Sequence, residues 1–152
     1  ENQHIPNTKN VSLEALWPSC DIVSLHCPLN ENTHHLINSQ TLKAMKKGAM
    51  LINTSRGGLI DTKAVIKSLK KGGLGYLGID VYEEEADLFF ENCSDQIMQD
   101  DMLARLTTFP NVLITGHQAY FTKEALEKIG QTTIKNIDGF SKGGIPKSNL
   151  VV

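Results

Sequence analysis

Four apolar stretches of this sequence are each followed within a residue or two by groups that could do chemistry. His26, Cys27 and Pro28 follow the first, Thr54, Ser55 and Arg56 the second, Asp80 the third and His117 the fourth. Arg56 precedes Gly57-Gly58, in a turn where a planar bidentate donor can grip a carboxylate and polarise an adjacent carbonyl. The plainer alternative is an arginine in a surface ion pair. His117 is a candidate acid and base, because imidazole changes charge near neutral pH without special tuning; the alternative is a structural histidine. A carboxylate paired with it would raise its pKa and fix its tautomer. Glu85 could do so, but Glu83 and Glu84 compete, and spacing does not choose among them. Asp80 could accept a hydrogen bond from a ligand amide or simply cap a strand end. Cys27 has no histidine base in register, so it reads as a lining residue and not as a nucleophile. His34 and His35 lie in a polar loop without partners at metal-ligand spacing and read as solvated.

These groups reach one place only if the elements beneath them run in parallel. Asp21-Ile-Val-Ser-Leu-His26 reads as a short buried strand stopped by Pro28. Ser39 can cap a helix over 40–47 that Gly48 terminates, and Ala49 to Thr54 forms the next strand. Asp61 caps a helix from Thr62 to Lys71 with basic residues in its last turn and Gly72-Gly73 as its stop. Leu77 to Asp80 is a third strand, Asp101 to Leu106 a helix, and Asn111 to Thr115 a fourth strand. Thr122 caps a long helix to about Ser141, on which Leu126, Ile129, Thr133 and Ile137 recur at helical spacing. Near the start, Ser12 can cap a short helix over 11–16. Strands alternating with helices are βαβ units, so the expected class is α/β with a parallel sheet. Ligands of such sheets bind beyond the carboxyl ends of the strands, which is where two imidazoles, a guanidinium and a carboxylate are expected.

Composition narrows the classes further. The chain has 152 residues, enough for one domain of ordinary size and not for two. Lys+Arg 15 against Asp+Glu 17 gives a net charge of -2, with no excess to attract a nucleic acid. At 40% hydrophobic and 21% charged, with no apolar run of membrane-spanning length, the chain reads as a soluble globular protein. Cys20, Cys27 and Cys93 fit neither a disulfide framework nor a zinc site, and the default is three reduced thiols in the cytosol. The segment 83–101 holds eight acidic residues and no lysine or arginine, the usual mark of a solvated loop. Gly73-Leu-Gly-Tyr-Leu-Gly78 fits G-x-G-x-x-G by letter, but it follows a helix and precedes a strand, the reverse of a phosphate-binding turn. These glycines read as a helix stop plus close packing.

Four motifs in order resemble those of the NAD-dependent D-2-hydroxyacid dehydrogenases: Ser24-Leu-His-Cys-Pro-Leu29, Met50-Leu-Ile-Asn-Thr-Ser-Arg-Gly-Gly-Leu-Ile-Asp61, Gly78-Ile-Asp-Val-Tyr-Glu83 and Asn111-Val-Leu-Ile-Thr-Gly-His117. The resemblance runs from Asp21 onward. Asp80-Val-Tyr-Glu-Glu-Glu-Ala-Asp-Leu-Phe-Phe90 and Gly116-His-Gln-Ala-Tyr-Phe-Thr122 are most similar to the fermentative D-lactate dehydrogenases; relatives acting on phosphoglycerate or glyoxylate typically carry proline where Gly116 stands. The resemblance implies a Rossmann-like parallel sheet with flanking helices, present in part, and NAD as cofactor. It implies that Arg56 binds a 2-oxo acid, His117 donates the proton and Glu85 orients and charges that histidine. It further implies that Asp80 holds the nicotinamide end, that Cys27, Pro28, Asn32, Thr54 and Ser55 line the cofactor cleft, and that Tyr120 shapes the substrate pocket. The implied reaction is reversible reduction of pyruvate to D-lactate in the cytoplasm by a homodimeric parent, with no nucleic acid or membrane partner.

Members of that family are about twice as long, with the phosphate-binding turn, the ribose-binding acid and a separate catalytic domain ahead of the position of Glu1. The expectation is therefore a carboxyl-terminal part: residues 1–118 from the NAD-binding domain and 119–152 as a helix and tail returning toward the catalytic domain. A start at Glu1 in place of methionine fits an excised piece. Unpartnered sheet and helix faces are expected, with a tendency to lower stability or association. Two other readings stay open: an NAD-sensing interaction protein of the same fold, and a truncated product that keeps the motifs without the activity.

Overall fold

The computed structural model describes residues 6–84 and 100–144. The chain divides into two units, Glu1–His117 and Gln118–Val152. In the first, β1 (Ile22–Leu25), β2 (Ala49–Asn53), β3 (Leu74–Ile79) and β4 (Val112–Ile114) form one sheet in the order β1-β2-β3-β4, every neighbouring pair parallel. Helices α2 (Ser39–Ala44), α3 (Thr62–Lys70) and α4 (Asp101–Thr107) lie in the successive connections. A right-handed crossover repeated in one direction places every helix on the same side of the sheet, and α2 packs on α3 and α3 on α4. A short helix α1 (Leu13–Leu16), capped by Ser12, precedes β1 and leads into the buried Trp17.

The core follows from strand alternation. Val23 and Leu25, Ala49 and Leu51, and Leu77 and Ile79 face the helices, where Leu42, Met45, Ala64, Val65, Leu69, Leu103 and Leu106 meet them. The opposite face carries apolar residues too, but Ile22, Tyr76 and Leu113 are 60%, 56% and 65% exposed there. Ile22, Met50 and Tyr76 stand in one row across the strands, and Ile52, Gly78 and Leu113 in the next. This is the unpartnered face expected from the sequence.

Local chemistry moves several boundaries. Asn38, not Ser39, caps α2: its side chain accepts from the Gln40 and Thr41 amides while the Thr41 hydroxyl accepts from the Asn38 amide, a reciprocal box that Ser39 cannot make. The helix ends at Ala44 and not Lys47, because Met45 turns extended (ψ 155) and drives its side chain into the core. Asp61 caps α3 as expected, accepting from the Ala64 amide at 3.0 Å. Strand β3 begins at Leu74 and not Leu77, so most of the glycine-rich hexapeptide is strand. Gly75 is required there because a methyl group on it would collide with the Gly48 carbonyl of the neighbouring turn.

The second unit contains α5 (Lys123–Ser141), whose cap Thr122 accepts from the Ala125 amide. No residue of α5 is buried, and Ile129, Ile134, Ile137 and Phe140 are all more than half exposed. No described helix is long and apolar enough to cross a membrane.

Tyr82, just past β3, donates its hydroxyl to Asp100 Oδ2 at 2.6 Å, and Asp100 in turn caps α4 by accepting from the Met102 and Leu103 amides. Burial, the bond to Asp100 and the charges of Asp100, Glu84 and Glu83 all push the Tyr82 phenol well above its ordinary value. A phenol raised in the fold keeps its proton where the unfolded chain loses it, so stability is level below the unfolded-state value of about 10 and falls as pH rises past it. Tyr82→Phe is expected to cost about 1–2 kcal/mol at neutral pH and to flatten that alkaline decline. Urea unfolding of both proteins at about pH 8 to 11 checks it; an unchanged slope would assign the decline to another group.

Candidate functional site

Because the four strands are parallel and adjacent, their carboxyl ends form one edge, with neighbouring strands about 4.8 Å apart. The residues at this edge are those the sequence singled out, and hydrogen bonds tie them to one another. After β1, Cys27 is half-buried and its carbonyl accepts from the Ser55 hydroxyl at 2.8 Å, joining the loop after β1 to the loop after β2. Pro28 is exposed, and its carbonyl accepts from Thr33 Oγ1 at 2.7 Å. The exposed Asn32 is held in the same loop by its amide on Asn30 Oδ1. His26, just past β1, is exposed and bonded through Nε2 to the Ser24 hydroxyl of that strand.

The turn carrying Arg56 is built from a residue that sequence reasoning passed over. Asn53 is fully buried at the end of β2; its Nδ2 donates to the Arg56 carbonyl at 2.9 Å and its Oδ1 accepts from the Ser55 amide at 3.1 Å. A carboxamide with a donor and an acceptor closes the turn from inside, and its sequence signal is a polar residue ending an otherwise apolar run. Thr54 and Arg56 are exposed, and one Arg56 nitrogen donates to the Ser55 carbonyl at 2.7 Å. Among the described residues no carboxylate pairs with Arg56, so the surface ion pair weighed above is not what holds it. Gly57 lies against backbone: a methyl group on it would overlap the Tyr82 carbonyl.

Asp80 is 5% exposed and joins the ends of three strands. Its amide donates to the Asn53 carbonyl at 2.9 Å, its carbonyl accepts from the His117 amide and its Oδ1 accepts from the Thr115 hydroxyl. His117 is half-buried with Nδ1 shielded from solvent, and its backbone is left-handed (φ 59), directly after Gly116 (φ 60). Asn7 and His35 share that left-handed region, which asparagine and histidine adopt more often than most residues.

Glu85 lies outside the described residues. The competition among the three glutamates is narrowed, because Glu83 is engaged elsewhere: Oε1 lies 2.6 Å from His35 Nε2 and Oε2 accepts from the Thr62 hydroxyl at 2.9 Å. The same contact corrects the reading of His35 as solvated; it is half-buried and partnered, while His34 is exposed and stacked on it with ring centroids 3.9 Å apart. Sequence spacing could not show this pair, since 48 residues separate its members. Tyr120 belongs to the second unit and is 56% exposed, edge-on to Phe121.

Most of the chain is similar to known proteins. Residues 1–119 match the family model described as D-isomer specific 2-hydroxyacid dehydrogenase, NAD binding domain. A D-lactate dehydrogenase of Curvularia clavata is 56% identical over 142 residues, covering 93% of this chain and 40% of that protein. The D-lactate dehydrogenase of Escherichia coli is 49% identical over 141 residues, covering 93% and 43%. Among solved structures, the D-lactate dehydrogenase with NAD+ from Lactobacillus jensenii superposes with a TM-score of 0.83 at 31% identity, covering 93% of this chain and 42% of that one. The chain thus spans about two-fifths of the length of these relatives.

The tight approach at Gly57 gives the site a stability signature. Gly57→Ala must displace backbone, and is expected to destabilise by about 1–3 kcal/mol. Gly58→Ala meets side chains alone, the flexible end of Leu29 and, at ordinary contact distance, the His34 ring, and is expected to cost less. Urea midpoints of the two variants test the order; equal costs would mean that the Arg56 turn is not pinned against Tyr82.

Proposed function

The chain belongs to the D-isomer specific 2-hydroxyacid dehydrogenases, matching their NAD-binding domain, and from that premise we propose that it supplies the cofactor side and the acid-base group of a D-lactate dehydrogenase. The substrate pair is pyruvate and D-lactate, and the working protein is a cytoplasmic homodimer. The observation that carries this reading is the shared edge of the parallel sheet, where Arg56, Asp80 and His117 follow successive strands.

The residues present fit one half of a dinucleotide. The buried Asp80 carboxylate, with Thr115 on one oxygen, suits the amide-bearing nicotinamide end, and Cys27, Pro28, Asn32, Thr54 and Ser55 line the cleft beside it. The other half needs a glycine turn leading from a strand into a helix, and Gly73 to Gly78 does not provide it because it runs into β3. When bound, NADH supplies the hydride.

The remaining work falls to side chains of this chain. Arg56, unpaired with any described carboxylate, takes the carboxylate of the 2-oxo acid bidentately and polarises the neighbouring carbonyl. His117 gives its proton to that carbonyl oxygen in reduction and takes it back in oxidation. Glu85 holds the imidazole in its charged form and correct tautomer, and the family motif implies a part for Tyr120 in shaping the substrate pocket.

The test is pyruvate-dependent NADH oxidation by the enzyme that carries this chain. His117→Gln is expected to lower kcat by roughly a hundred- to ten-thousandfold with NADH affinity nearly intact, and Arg56→Lys to raise KM for pyruvate because one point charge replaces a fork. Turnover unchanged in His117→Gln would refute the assignment of the proton donor, and no pyruvate reduction by the parent enzyme would refute the substrate.

A further inference from the structure

The exposed His34 and the half-buried His35 and Glu83 form a cluster that holds none of the residues assigned above. Among the described residues it is the set of three metal-ligating side chains whose donor atoms come within 4.8 Å of one another. Two imidazoles and one carboxylate form the donor set of a borderline divalent transition cation, since magnesium and calcium prefer oxygen alone. We propose that His34, His35 and Glu83 bind a divalent cation of the zinc type, with one open coordination position facing solvent on the exposed His34 side.

The surroundings are built for such a site more than for a solvated loop. Glu83 is fixed through its other oxygen, Oε2, by the Thr62 hydroxyl at 2.9 Å, so Oε1 stays aimed at the histidines while Oε2 keeps its own bond. The two rings stack face to face, with an interplanar angle of 25° and centroids 3.9 Å apart, so joint ligation requires the exposed His34 ring to turn out of the stack. Tetrahedral zinc with bonds near 2.0–2.2 Å separates its ligand atoms by about 3.3 Å. Glu83 and His35, now 2.6 Å apart, need to open, and the His34 donor, which lies within 4.8 Å of both, needs to converge with them. Side-chain rotation at the exposed His34 and the half-buried Glu83 achieves both, because no ligand is fully buried.

The backbone of this cluster is continuous with the Arg56 turn. The His35 amide donates to the Gly58 carbonyl, the Ile37 amide to Leu59 and the Asp61 amide to Ile37. A cation at this point therefore joins the loop after β1, the start of α3 and the segment after β3, the three pieces that flank the turn. Its expected effect is to stiffen that turn and raise thermal stability.

The test is titration of the metal-free 152-residue chain with Zn2+, and with Co2+ as a spectroscopic reporter. The wild type is expected to bind one equivalent saturably, with a Co2+ spectrum free of thiolate charge-transfer bands and a rise in melting temperature of about 5 °C at a hundredfold excess over Kd. The exposed His34→Ala is expected to fold normally and to weaken Zn2+ binding at least tenfold, and Cys27→Ser to leave it unchanged. Affinity for Zn2+ in His34→Ala within twofold of wild type, a thiolate band with Co2+, or no saturable binding would each overturn the proposal. Glu83→Gln provides a second reading: folded by circular dichroism, it must also lose affinity. None of these outcomes depends on NADH or pyruvate, so the dehydrogenase reading stands or falls separately.

Discussion

Asp80 is bonded to both of its neighbours at the ends of their strands, and the geometry of the functional edge depends on that. Its amide reaches Asn53 on one side, while its carbonyl and carboxylate reach His117 and Thr115 on the other. A parallel ladder fixes spacing along the strands but not the path of the chain once it leaves them. Here the departing segments are held by a single buried aspartate, and the turn with Arg56 by the buried Asn53 next to it. Replacing either side chain would remove its bonds, to Thr115 in one case and to Ser55 and Arg56 in the other, at about 1 kcal/mol each. The edge is thus specified by polar residues that close the ends of an apolar sheet.

Much of this was legible in the sequence, because the signals were local. Asp61 and Thr122 cap the helices they were expected to cap, and apolar runs of four to six residues mark the four strands in their parallel order. The wrong glycine context for a phosphate turn was also legible, and β3 occupies most of that hexapeptide. What was not legible lies in contacts between distant segments. Asn38 displaced Ser39 as a cap because a reciprocal pair with Thr41 outcompetes a lone hydroxyl. His35 looked solvated because its partner Glu83 comes from the far end of β3. Asn53 was read as the tail of a strand, since nothing in its neighbours shows that its carboxamide turns back under Arg56. Glu85 falls in a stretch beyond the described residues, and its role rests on the family motif.

The one-sided placement of the helices bears on how the chain is used. Three crossovers in one direction bury one face of the sheet and leave Ile22, Met50, Tyr76, Ile52 and Leu113 on the other. The relatives extend well beyond the matched region, which makes up about two-fifths of their length. Catalysis of the proposed kind needs a substrate held between Arg56 and His117 and shielded from water, and an open sheet edge by itself does not shield anything.

The left-handed backbone at Gly116 and His117 also limits how this position can drift. Most side chains are disfavoured at a φ near 60, and β-branched ones most of all. Glycine adopts it freely, and asparagine, aspartate and histidine more readily than other residues, as Asn7 and His35 also do in this chain. Substitution at this position is therefore confined by the backbone to a short set of residues, whatever the side chain does there.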